Sequence, residues 1–164
     1  MNILDISLIL SILTCSLVTG FIFTYAVVVM PGLSKLNDKE FIRAFQVTDG
    51  IIQNNQPLFM LTWVASIIAI LSSILIAIIF FGISETWLII LVGVVYLLGV
   101  QGITISIHIP LNNHLQQVNI DELNAERLSE ERIMFESKWN NFNIIRTIIA
   151  FSVSVILLLI LAIR

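Results

Sequence analysis

The chain has 164 residues, 58% of them hydrophobic and only 12% charged, with a mean hydropathy of +1.02. A soluble domain carries about a quarter charged residues, so this chain lacks the polar surface to cover itself in water, and part of its solvent must be lipid. The net charge of −3, with no long basic run and no Gly-rich phosphate loop, gives nucleic-acid and nucleotide binding no support, and a lone cysteine, Cys15, excludes an internal disulfide and a CxxC or zinc framework.

Four apolar runs, at about 6–30, 57–81, 86–108 and 144–163, are long enough to cross about 30 Å of hydrocarbon, which takes about 20 helical residues. In lipid, backbone groups need internal partners, so such runs must be helices. The expected fold is all-α, a single membrane domain spanning 1–164 and built as an up-down four-helix bundle. The first run has Asp5 where a signal peptide would carry Lys or Arg. Its 25 residues from Ile6 to Met30 also exceed the roughly 7–15 of a signal h-region. It reads as a retained transmembrane helix that ends at Met30-Pro31-Gly32, where proline cannot continue the ladder.

Asn37 or Asp38 can then cap a helix with Glu40 in its first turn. Phe41, Ala44, Phe45, Thr48, Ile51 and Ile52 recur at three- and four-residue spacing, with Lys39, Glu40, Arg43 and Asp49 on other faces. That pattern predicts an amphipathic helix at the interface or over one bundle mouth. Pro57 opens the second span, where Ala65, Ala69, Ser73 and Ala77 repeat every four positions. Such small-residue seams let membrane helices approach closely. Ser16, Gly20 and Thr24 offer a matching seam on the first helix, and a homodimer contact is the alternative use.

A tight turn over about 82–85, with Ser84 as cap and Trp87 as interfacial anchor, leads into the third span. That helix is expected to run to His108 and break at Pro110. The polar stretch from Leu111 to Lys138 reads as one or two short surface helices before the fourth span. Lys35, Lys39, Arg43, Arg127, Arg132, Lys138 and Arg146 all fall in or beside the two long connections, 31–56 and 109–143, against Arg164 alone on the other side. The excess of basic residues predicts a plasma-membrane protein with both connections cytoplasmic and both termini outside.

Ionisable groups inside membrane helices are rare and costly. Trp139, Asn143 and Arg146 follow i, i+4, i+7 spacing and share one face of the fourth helix. Gln101, Thr104 and His108 share a face of the third, and Asn112 extends that line if the helix survives Pro110. These stripes predict either a hydrogen-bonded network that fixes helix register or a small pocket near the cytoplasmic end. In the pocket reading, His108 is the proton acceptor able to work near neutral pH, Arg146 a fixed cation, and Asn112 and Asn143 neutral hydrogen-bond partners. Tyr25, Trp63, Trp139 and Phe59 supply aromatic walls, with Gln101 a further ligand contact. That set suits an apolar aromatic ligand that becomes an anion. His108 and His114 are six apart, on different helix faces, and no apolar helix has a Glu at its middle, so a metal site is not expected.

At three places the chain resembles the anthrone oxygenase-like family of small four-helix membrane proteins. The first helix ends in Val29-Met30-Pro31-Gly32-Leu33. The third ends in His108-Ile109-Pro110-Leu111-Asn112-Asn113, similar to the family's (Asn or His)-x-Pro-x-Asn exit. The fourth opens with Trp139, Asn143 and Arg146 in the spacing W-x3-N-x2-R. The resemblance implies oxidation of an anthrone to an anthraquinone by molecular oxygen without a cofactor, with His108, Asn112 and Arg146 as the acting residues. The remaining expectations are a lipid bilayer around the chain, a lipophilic small molecule as ligand and a homo-oligomer as an available assembly. Two other functions compete with the oxygenase: binding or transport of a small apolar molecule, and a structural membrane role without a ligand.

Overall fold

The computed structural model describes residues 2–164. Four helices have the length and apolarity to cross a membrane. They are α1 (Ile3–Leu33), α3 (Pro57–Phe81), α4 (Ile83–Gln117) and α5 (Ala125–Ile163), with α2 (Asp38–Gln53) between the first two. Side-chain oxygens start several of them. Asn2 and Asp5 form a reciprocal capping box on α1, Asn37 accepts from the Glu40 N–H at 3.0 Å on α2, and Asn124 accepts from the Arg127 N–H at 2.9 Å on α5.

Several boundaries differ from expectation. Neither proline breaks its helix. Before Pro31 and Pro110 the chain widens into π-helical turns, Tyr25–Val29 and Thr104–His108. The Met30 N–H reaches the Tyr25 carbonyl and the Ile109 N–H the Thr104 carbonyl, one residue further back than in an α-helix. A wide turn absorbs the missing proline donor and relieves its ring against the preceding carbonyl. No separate helix lies between α4 and α5 among the described residues. The predicted surface helices are instead extensions of the membrane helices themselves. The 39 residues of α5 span about 58 Å at 1.5 Å per residue, far more than the hydrocarbon core requires. The tight turn is a single residue, Gly82, whose φ of 82° favours glycine, and Ser84 caps nothing.

The helix seams also differ. Ser16, Gly20 and Thr24 are exposed, and Ser16 and Gly20 line a groove with Thr147, Phe151 and Leu158 of α5. The contact between α1 and α3 uses Ser73 of the predicted α3 seam, whose hydroxyl lies 2.9 Å from that of Ser11 and donates to Ser7 at 3.1 Å. Ala77 of the predicted α3 seam is fully buried. Gly93 of α4 lets α3 approach closely, since a Cβ there would stand 2.7 Å from the Ile74 Cδ1.

Two apolar clusters stack along the bundle axis. The lipid-level cluster joins Leu8, Ile22, Tyr96, Val100 and Leu157. The second joins Met30, Phe41, Phe45, Leu115, Leu128, Phe135 and Trp139, where α2 lies over the extended ends of α4 and α5. Ion pairs tie this cap together. Arg132 bonds Asp38 at 3.0 Å and Glu136 at 2.7 Å, and Lys39 meets Asp121 at 2.8 Å. Lys39 beside it holds the Asp121 carboxyl below its ordinary range. Both long connections therefore sit at one end of the bundle. At the other end Arg164 meets Asp5 at 3.4 Å.

Candidate functional site

Where the two clusters meet, α1, α2, α3, α4 and α5 enclose a cavity of about 200 Å³. Its apolar walls are Phe21, Tyr25, Phe45, Ile52, Phe59, Met60, Trp63 and Trp139. Phe59 and Trp63, one turn apart on α3, stack at 5.3 Å, and Phe21 meets Phe59 edge-on at 4.9 Å. Phe21, Tyr25, Ile52, Phe59 and Trp63 also line a larger neighbouring groove of about 610 Å³ between α1 and α3. The aromatic wall thus separates the inner cavity from a broad apolar surface.

The polar end is built by α4 and α5, whose stripes do face each other. Arg146 is 4% exposed. Its Nε donates to Asn143 Oδ1 at 2.9 Å and its Nη1 to Thr104 Oγ1 at 3.0 Å. Thr104 passes its own proton to the Val100 carbonyl at 2.7 Å. Asn143 is held in turn by the Ile22 carbonyl of α1, which accepts from its Nδ2 at 3.1 Å. A guanidinium has five N–H donors. The other three find no protein acceptor among the described residues, and no carboxylate there lies within 4 Å of the group. Arg146 also sits over the Trp139 ring, its Cζ 5.6 Å from the centroid, within cation–π range.

His108, one turn below Thr104, is 2% exposed and lines the cavity. Among the described residues neither ring nitrogen has a hydrogen-bond partner. Such orphans are uncommon in buried side chains and point to a ligand or water. Its ring meets the same Trp139 at 5.0 Å, edge to face. Asn112 is in place because α4 survives Pro110. Its Oδ1 accepts from the Trp139 Nε1 at 2.9 Å and its Nδ2 donates to Asp49 Oδ1 at 2.7 Å.

Of the expected site residues, Tyr25, Trp63, His108, Asn112, Trp139 and Arg146 line the cavity. Asn143 stands behind Arg146 and positions it. Gln101 belongs elsewhere. Its Nε2 donates to Tyr96 Oη at 3.2 Å and to Ser66 Oγ at 3.4 Å, a network on the α3 side. The residue missed by the sequence reading is Asp49. The amphipathic pattern put it on the solvent face of α2, whereas it is 2% exposed and lines the cavity. The available signal was its position four residues after Phe45, in line with the buried Phe41.

Burial raises the Asp49 carboxyl above its ordinary value of 3.8, against the lowering effect of hydrogen bonds from Gln53, Gln116 and Asn112. The folded chain therefore binds this proton more tightly than the unfolded chain does, and stability falls as pH rises from about 4 through the raised value. The wild-type melting temperature should fall as pH rises from about 4, a dependence that Asp49→Asn should lack. Thermal melts in detergent across that range check the sign.

Among the described residues, no three His, Cys, Asp or Glu side chains gather into a metal-binding group. Among curated proteins and among solved structures, none matches the chain. A family model does. The one described as anthrone oxygenase matches residues 53–156, which takes in α3, α4 and the part of α5 that carries Trp139, Asn143 and Arg146. With most of its length matched, and with four membrane-length helices around that match, the chain belongs to the anthrone oxygenase family of membrane proteins.

Proposed function

We propose that the protein oxidises a lipophilic, anthrone-like aromatic ketone with molecular oxygen, through the deprotonated substrate and without a cofactor. The observation that carries this reading is the unpaired, buried Arg146 beside the unpartnered His108, at the polar end of an aromatic-walled cavity. A fixed cation and a free N–H lining one cavity stabilise negative charge that develops between them, and more strongly where water is excluded.

An anthrone has a methylene between two aromatic rings, conjugated with a carbonyl. Loss of one methylene proton leaves the electron pair spread onto the carbonyl oxygen, where Arg146 and His108 would hold it. That anion gives an electron to dioxygen, and the radical and superoxide combine through a new C–O bond. Protonation gives a hydroperoxide. Loss of the second methylene proton with cleavage of the O–O bond yields the second carbonyl and releases water. One methylene and one dioxygen become one carbonyl and one water, so dioxygen takes all the electrons that carbon loses. The stacked Phe59 and Trp63 and the edge of Trp139 suit a flat ring system. The inner cavity is smaller than the roughly 300 Å³ usual for ligand sites, so a fused ring system would reach past Phe59 into the adjoining groove.

Oxygen uptake by the purified protein after addition of anthrone tests the proposal, with empty micelles and a metal chelator as controls. Uptake above the controls, with one anthraquinone formed per dioxygen, is the expected result. Uptake no faster than in empty micelles would contradict it.

A further inference from the structure

We propose that Asp49 is the proton acceptor of this site, its carboxylate taking the C–H proton of the aromatic ketone whose anion Arg146 and His108 hold. The inference rests on the function proposed above and adds to it a residue that lies outside the matched family region, residues 53–156.

Among the described residues Asp49 is the one carboxylate lining the cavity. A buried carboxylate normally has a cation beside it. Asp49 has three neutral amides instead: Asn112 donates to Oδ1 at 2.7 Å, and Gln53 and Gln116 donate to Oδ2 at 2.7 and 3.2 Å. A carboxylate offers about four acceptor positions. Three are filled, and the remaining one is on Oδ1, the oxygen on the side of Asn112 and Trp139. Asp49 and Arg146 thus face one cavity with opposite charges and do not touch, since no ion pair within 4 Å joins them. A molecule lying between them can pass its proton to one and its negative charge to the other.

The charge balance favours Asp49 over His108. When Asp49 takes the proton, the carboxylate becomes neutral as the substrate becomes an anion, and the cavity keeps one positive and one negative charge. When His108 takes it, a second cation forms against the same indole that carries Arg146, at 5.0 and 5.6 Å. In a low-dielectric cavity that is the costlier state. His108 then serves as a neutral donor to the developing oxyanion. The other titratable group facing the cavity is the Tyr25 phenol of α1. Burial, which lifts the Asp49 carboxyl above its ordinary range, also makes it a better base. In the step itself the C–H bond breaks, the proton goes to Oδ1, and the electron pair stays in the conjugated ring system. Nothing is oxidised until dioxygen arrives. The same proton then returns to the peroxide, and Asp49 is ready for the second C–H.

Because the step precedes dioxygen, it can be read without it. Anthrone is incubated anaerobically in D2O with the full-length protein, and deuterium incorporation is followed by mass spectrometry. The wild type should exchange faster than empty micelles, along an acidic limb lying above the usual carboxylate range. Asp49→Asn should lose at least about 10²-fold in exchange rate together with the limb, while still quenching tryptophan fluorescence on binding anthrone. Asp49→Glu should recover part of both. His108→Gln should keep the limb. Unchanged exchange in Asp49→Asn, or a limb that disappears in His108→Gln instead, would overturn the assignment of Asp49. Exchange without oxygen uptake in air would uphold Asp49 and overturn the oxygenase reading. No exchange by the wild type would overturn both.

Discussion

Arg146→Met is expected to lower turnover by about 10²–10³-fold while leaving the bundle as stable as before or more so. The catalytic part follows from the donors that Arg146 aims into the cavity. Removing one oxyanion donor in a water-excluded site commonly removes about 3–4 kcal/mol of transition-state stabilisation, and here the charge goes as well. The stability part follows from the absence of a counterion. A buried guanidinium without a carboxylate keeps a desolvation cost that its bonds to Asn143 and Thr104 and its place over Trp139 only partly offset. Its loss leaves Asn143 Oδ1 without a donor, while Thr104 keeps its bond to Val100 and Asn143 Nδ2 its bond to Ile22. A residue kept for packing would show the opposite pattern. Melting temperature and turnover measured on the same preparation decide between them. A fall in melting temperature with unchanged turnover would make Arg146 structural.

Asn112→Ala should damage both properties at once. Asn112 joins the Trp139 indole of α5 to the Asp49 carboxylate of α2 through its own two ends. Its truncation leaves a buried indole N–H and a buried carboxylate oxygen short of a partner, at about 1–3 kcal/mol for each unsatisfied group. Unlike Arg146, it holds the α2 cap to the bundle, so α2 should also loosen. Hydrogen exchange of the α2 backbone should accelerate together with the fall in melting temperature and turnover. Protection of α2 equal to wild type would show that the apolar contacts of Phe41 and Phe45, the Gln46 bonds to Leu115 and Val118 and the cap's ion pairs seat it without Asn112.

Much of this arrangement could be read in the sequence, because the spans leave few polar residues to choose from. On an apolar helix, Thr104 and His108, or Asn143 and Arg146, stand out by composition, and helical spacing alone puts each set on one face. Their convergence then follows from the small number of buried polar groups each can meet. Gln101 shared the spacing yet turned toward Tyr96 and Ser66, because a long amide near the edge of the face can reach either neighbour. The first half of α5 was harder to read. Its acidic residues suggested a short surface helix separate from the span, although Leu128, Phe135, Trp139, Asn143 and Arg146 form one continuous stripe into the membrane. Asp49 was hidden by the opposite error. On an amphipathic helix a carboxylate is ordinarily solvated, and the side-chain amides of Asn112 and Gln116 from α4, with Gln53 of α2, make its inward position tolerable.

The central claim is that the cavity stabilises an anion of a flat aromatic ketone. Anaerobic absorption titration of anthrone in lipid nanodiscs, with and without the protein, measures that directly. The wild type should bring the anion band in about two pH units below its position in empty nanodiscs, and Arg146→Met should return it. An anion band that the wild type leaves unmoved, or moves equally in Arg146→Met, would contradict the account.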